Sequence, residues 1–125
     1  MTSAQFDEVK SRCPGATREV LPSRAALITL PDFRVPQGWN KSAATVRFIE
    51  PNGYPLACPD CFWTDGDLRL ANGATPQNTG ANAIPETQFA GLLWFSWHVR
   101  ESWNPNRDSL LTWIACICDR FRKLQ

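Results

Sequence analysis

The end of the chain constrains the fold most. Leu110, Ile114, Ile117, Phe121 and Leu124 recur at three- and four-residue steps, joined by Leu111 and Cys118, which gives a helix with one apolar side. Asn106 or Asp108 can cap this helix, and Arg120, Arg122 and Lys123 suit the negative end of its dipole. Such a helix must bury its stripe against something. The segments before it are short β-prone runs, so the partner is expected to be a sheet.

Those runs follow one another between strong turn signals. A first helix is expected over residues 3–13, where Ser3 can cap, Phe6, Val9 and Lys10 follow at helical spacing, and Pro14-Gly15 stops the chain. Residues 17–21 read as a strand ended by Pro22. Residues 25–30 are compact and β-prone until Pro31 interrupts them before 33–35, and residues 45–49 alternate as a strand packed on one face should. Asn52-Gly53 is a turn signal, residues 62–64 are β-prone, and Asp65-Gly66 turns the chain again. Residues 92–99 are β-prone and aromatic. Between them, residues 71–91 are rich in Ala, Asn, Gly, Thr and Pro and read as a long loop, a kind that often covers a site. The expected class is α+β: one domain over residues 1–125, an antiparallel sheet of about four strands, and a helix at each end.

Composition removes several functions. Hydrophobic residues make up 43% of the chain and charged residues 20%, which is the balance of a globular protein rather than a disordered one. With Lys+Arg at 13 and Asp+Glu at 12, no field draws the protein to nucleic acid or an anionic membrane. The N-terminus lacks the apolar core of a secretory signal, and runs such as residues 110–118 are too short to span a bilayer. The five cysteines are therefore expected to be reduced thiols of a cytoplasmic protein.

Three ordered motifs lie between Tyr54 and the C-terminus. The first is Tyr54-Pro55-Leu56-Ala57-Cys58-Pro59, continuing as Asp60-Cys61-Phe62-Trp63. The second is Phe95-Ser96-Trp97-His98. The third is Trp103-Asn104-Pro105 with Asp108 and Leu110 opening the last helix. Together they resemble the ubiquitin-conjugating (UBC-like) superfamily, and most closely its bacterial branch called prokaryotic family E. The resemblance implies a UBC-like fold and a carrier that accepts a ubiquitin-like protein from an adenylating activating enzyme. A deconjugating peptidase from the same operon is often a further partner in such systems. It also implies that the N-terminal helix, at Phe6, Val9 and Arg12, docks the activating enzyme. No cofactor or metal is implied.

The departures from that family pattern shape the expected chemistry. The His-Pro-Asn tripeptide of eukaryotic relatives is absent, and the loop carries Asn72, Asn78 and Asn82 instead. No cysteine stands a short interval before Trp103, where those relatives keep their nucleophile. Ser96 stands there, making it the expected acyl acceptor. A serine hydroxyl needs a base. His98, the only histidine, is two residues on; along a strand those positions share a face at about 6.5–7 Å between Cα atoms. An orienting carboxylate would come from Asp60, Asp65, Asp67, Glu101 or Asp108, and an oxyanion donor from the amides of Asn78 or Asn82 or from backbone N–H groups of residues 71–91. Without catalysis, Ser96 ends a turn, His98 is a hydrogen-bonded residue, and the domain is an inactive UBC-like module that binds or scaffolds. Cys58-Pro59-Asp60-Cys61 also forms a C-x-x-C pair. It lacks the following helix of a redox site and the second pair of a zinc site, while Cys58 or Cys61 remains a displaced thioester nucleophile.

Overall fold

The computed structural model describes residues 3–99 and 102–125. In chain order the elements are α1 (Ser3–Arg12), β1 (Thr17–Val20), β2 (Ala26–Arg34), β3 (Ala43–Glu50), β4 (Phe62–Thr64), β5 (Thr79–Gly80), β6 (Leu93–Phe95) and α2 (Leu110–Arg122). The architecture is α+β, with two helices and an antiparallel sheet in the order β1-β2-β3-β4-β6-β5. The sheet has six strands where about four were expected from the spacing of β-prone runs. The sequence hides β5, because Thr79-Gly80 has no β-prone run and becomes a strand only by pairing with Phe95 and Trp94.

Pro31 does not end its strand. β2 runs through it, and the register with β3 shifts between Leu30 and Phe33, where Asp32 takes a left-handed φ of 54°. An irregularity of this kind lets a strand absorb residues that cannot join the ladder. At the other side of the sheet, β6 is shorter than expected and stops at Phe95, so Ser96 and His98 lie just beyond its end.

Alternation along the strands makes two apolar faces. Ile28, Val46, Phe48, Phe62 and Phe95 point to one side, where Val9 of α1 and Leu110, Trp113, Ile117 and Phe121 of α2 complete the main core. Leu27, Trp63 and the half-buried Ile49 and Trp94 point to the other side, joined by Leu21 and by Ile84 from the 71–91 segment. That segment is therefore not bare loop. Ile84 caps the second face, and Trp63 donates its indole N–H to the Asn82 carbonyl at 2.8 Å. Gly66 and Gly91 meet at the base of this excursion, where a Cβ on Gly66 would sit 1.8 Å from the Gly91 carbonyl oxygen. No side chain fits there.

α2 differs from its reading in two respects. Its cap is Ser109, not Asn106 or Asp108: the Leu111 N–H donates to Ser109 Oγ at 3.2 Å, and the Ser109 N–H donates to Thr112 Oγ1 at 3.0 Å. Asp108 is already engaged, accepting the Asn104 N–H at 2.8 Å. Arg120, which suits the negative end of the helix dipole, is only 1% exposed. The Ser3 cap of α1 lies outside the described side chains.

Tyr54 sits in the turn between β3 and β4 and lies against Trp103, with the peptide to Pro55 cis. Glu50 is buried nearby and paired with Arg18 through two hydrogen bonds of 3.2 and 3.0 Å. Burial first, and then the negative charge of Glu50, push the Tyr54 phenol from its ordinary 10.0 up to about 12. Because the folded value is the higher one, this stabilisation is whole below pH 10 and is lost as pH rises towards about 12. Tyr54 is the single tyrosine, so its absorbance titration is unambiguous. The native protein is expected to develop tyrosinate absorbance only near pH 12, with its unfolding midpoint falling over the same window. A native transition at 10 would show that the phenol is solvated.

Candidate functional site

β4 and β6 lie side by side, with Phe62 opposite Phe95, Trp63 opposite Trp94 and Thr64 opposite Leu93. The residues leading into β4 and those leaving β6 therefore meet at one end of the sheet. Cys61 there takes a left-handed φ of 60°, and its N–H donates to the Trp97 carbonyl at 2.8 Å. In a regular strand, Asp60 and Cys61 would face opposite sides. The left-handed residue breaks that alternation, and both side chains come to lie beside the His98 ring.

His98 and Asp60 form the central contact, a short hydrogen bond between Nδ1 and a carboxylate oxygen, with both side chains exposed. The other Asp60 oxygen lies 3.8 Å from Cys61 Sγ. One ligating atom from each of the three residues falls within 4.8 Å of the others. Burial pushes the Cys61 thiol up, the hydrogen bond at Trp97 offsets part of this, and the Asp60 charge adds to the rise. The Cys61 thiol is thus a poorer nucleophile than an exposed one.

Ser96, two residues before His98, is half-buried, and its N–H donates to the Asn78 carbonyl at 2.8 Å, one step beyond the Thr79–Phe95 pair. Trp97 anchors the segment to α2, donating its indole N–H to the Cys116 carbonyl at 3.2 Å. Beneath both lies Arg120. Its guanidinium sits 5.3 Å from the Phe95 ring, 5.6 Å from Trp97 and 5.9 Å from Trp39. It donates to the main-chain oxygens of Gln77 and Gln125 at 2.9 Å and of Lys123 at 3.0 Å. Arg120 thereby ties the residue before Asn78 to α2, and Asn78 in turn holds Ser96. An open hollow of about 360 Å³ adjoins the site, lined by Trp97, His98, Val99 and Lys123.

The expected residues divide clearly. Ser96, His98, Asp60, Asn78 and Cys61 gather at one end of the β4–β6 pair, although no hydrogen bond joins Ser96 to His98 among the described residues. The other carboxylates are occupied elsewhere. Asp65 accepts from the Thr45 N–H at 3.1 Å, Asp67 pairs with Lys41 at 2.6 Å and Asp108 caps Asn104; Glu101 lies outside the described residues. Asn72 accepts the Ala74 N–H at 2.9 Å, and Asn82 holds Trp63. Neither pairs with Ser96. On α1, Val9 is fully buried, Phe6 half-buried and Arg12 exposed, so Arg12 and the edge of Phe6 form the surface there. Arg120 and Trp97 escaped sequence reading. The available signal for Arg120 was its spacing, since it follows Trp113 and Ile117 on the buried side of α2.

Two helices over one face of an antiparallel sheet, with the Tyr-Pro turn and the Trp-x-Pro turn at the same end, make this a UBC-like domain. The sequence model of prokaryotic E2 family E matches residues 9–123, and the chain belongs to that family. Membership supports a conjugating-enzyme-like role in general, with the dealings that role implies with a ubiquitin-like protein and an activating enzyme. No curated protein and no solved structure matches the chain at a significant level. Among the described residues, no helix is long and apolar enough to cross a membrane.

Proposed function

We propose that the protein carries a ubiquitin-like protein as an oxyester on Ser96 and passes it to a target. The observation behind this reading is the Asp60–His98 hydrogen bond beside Ser96, which gives the imidazole an orienting carboxylate. Ser96 Oγ attacks the thioester carbonyl presented by the activating enzyme. Its proton passes to His98, directly or through one water, and the activating enzyme's thiolate leaves. In the second step a target amine attacks the ester and gives its surplus proton to solvent, and Ser96 Oγ departs with the proton returned by His98. An oxyester is less reactive than a thioester, so the tetrahedral intermediate needs stabilisation; Asn78, whose backbone carbonyl pairs with the Ser96 N–H, is the candidate to donate from its side-chain amide. Arg12 and Phe6 on α1 form the proposed docking face for the activating enzyme.

Cys61 supplies a second reading, because it touches the same Asp60–His98 pair. One experiment separates the two. The protein is incubated with its activating enzyme, ATP and the ubiquitin-like partner, and the covalent adduct is examined. An adduct that resists reductant, yields to alkali and disappears in Ser96→Ala supports the serine carrier, with Asp60→Asn slowing its formation by about 10²-fold or more. An adduct cleaved by reductant and lost in Cys61→Ser transfers the role to the thiol. No adduct with active partners makes the domain a binding module.

A further inference from the structure

The C-x-x-C pair alone makes no zinc site, because the sequence offers no second pair at the right spacing. Folding supplies a different set of donors. Asp60, Cys61 and His98 bring a carboxylate oxygen, a thiol sulfur and an imidazole nitrogen within 4.8 Å of one another. Asp60 and Cys61 are neighbours in the chain, and they converge only because Cys61 adopts its left-handed backbone. A non-glycine residue held in that region is strained, and such strain collects at ligand sites. The third donor arrives from the segment just beyond β6, held in place by the Cys61 to Trp97 backbone hydrogen bond.

We propose that these three side chains form a binding site for a borderline-soft divalent cation of the zinc class. The donor set decides the class. Sulfur and nitrogen exclude calcium and magnesium, which take oxygen cages, whereas one thiolate, one imidazole and one carboxylate suit zinc or cobalt. Three protein donors leave a fourth tetrahedral position open to water, and His98 and Asp60 face solvent, so an ion can enter without unfolding. Cys61 binds as thiolate, its proton going to solvent. Where the acyl-carrier reading holds, the loaded form has His98 and Asp60 engaged by the ion and unavailable to Ser96. The metal then acts as an inhibitor of adduct formation.

The test is titration of the reduced full chain with cobalt(II), read by absorbance. A thiolate-to-cobalt charge-transfer band saturating at one ion per chain, with the ligand-field bands of a low-coordinate site, is the expected result. Cys61→Ser abolishes the charge-transfer band and Cys58→Ser keeps it. His98→Asn and Asp60→Asn weaken affinity by at least about tenfold, the low end of what even outer partners of a metal contribute. Far-ultraviolet circular dichroism of each variant separates lost ligation from lost folding, and a misfolded Cys61→Ser leaves the His98→Asn and Asp60→Asn affinities to decide. A band that survives Cys61→Ser, affinities unchanged in the other two variants, or no band at all overturns the site. The readout uses no partner protein, and Ser96→Ala should bind cobalt like the parent chain. Failure of the metal site therefore leaves the carrier reading standing, and the reverse also holds.

Discussion

An Arg120→Ala variant is expected to lose about 3 kcal/mol or more of unfolding free energy, from a cavity and unpaired carbonyls together. The guanidinium is buried among Trp39, Phe95 and Trp97, and burial holds its pKa below the ordinary arginine value. Ring faces and three main-chain oxygens offset its desolvation. Arg120→Met separates packing from tethering. The methionine refills much of the space and should recover part of the stability, but it cannot hold Gln77. Amide exchange at Ser96 should therefore stay accelerated in both variants, because the Asn78 carbonyl that protects it is no longer held from below. Arg120→Lys should not rescue that protection, since one ammonium cannot reproduce a planar fork reaching three acceptors. Denaturant unfolding and amide exchange check these outcomes. Unchanged protection in Arg120→Met would show that Gln77 and Asn78 hold themselves.

Phe121→Ala is expected to cost about 3–5 kcal/mol, the range for truncating a buried aromatic. Its ring is the hub of the core, with centroids 5.4 Å from Trp39, 5.6 Å from Phe62, 5.8 Å from Phe33 and 5.9 Å from Phe95. These partners come from β2, β4, β6 and the turn at Trp39, so one truncation loosens three of the six strands. Phe121→Leu should restore part of the loss by refilling volume, and the denaturation midpoint measures both. A loss below about 1 kcal/mol in Phe121→Ala would mean that the neighbours collapse into the space. Arg120 and Phe121 share Trp39 and Phe95, so the double variant should not be additive.

The readable part of the fold was the part governed by periodicity. Residues 45–49 alternate, the buried Ala44, Val46 and Phe48 follow that alternation, and α2 begins and ends close to its stripe. What stayed illegible was decided by competition or by long-range pairing. Three residues before α2 can cap a helix, and Ser109 takes the role because Asp108 is drawn to Asn104. β5 exists only through its partner strand. At the site, Ser96 and His98 were legible as residue types near a turn. Asp60 could not be chosen among five carboxylates, because it stands 38 residues from His98 and only the β4–β6 pairing brings them together. The left-handed Cys61 that turns Asp60 and Cys61 towards the histidine leaves no trace in composition.

The close approach of Gly66 and Gly91 bears on how this chain can change. The backbone leaves β4 and enters β6 through one narrow doorway, and the two strands are paired just outside it. Everything from Asp67 to Ala90 is an excursion whose inner anchors are Thr79-Gly80, Asn82 and Ile84. The stretch after Ile84 is mostly exposed, so residues added there would lengthen the excursion without shifting the register that aligns Asp60, Ser96 and His98. The doorway itself admits no such freedom. It is the point where a single methyl group would force the two halves of the site apart.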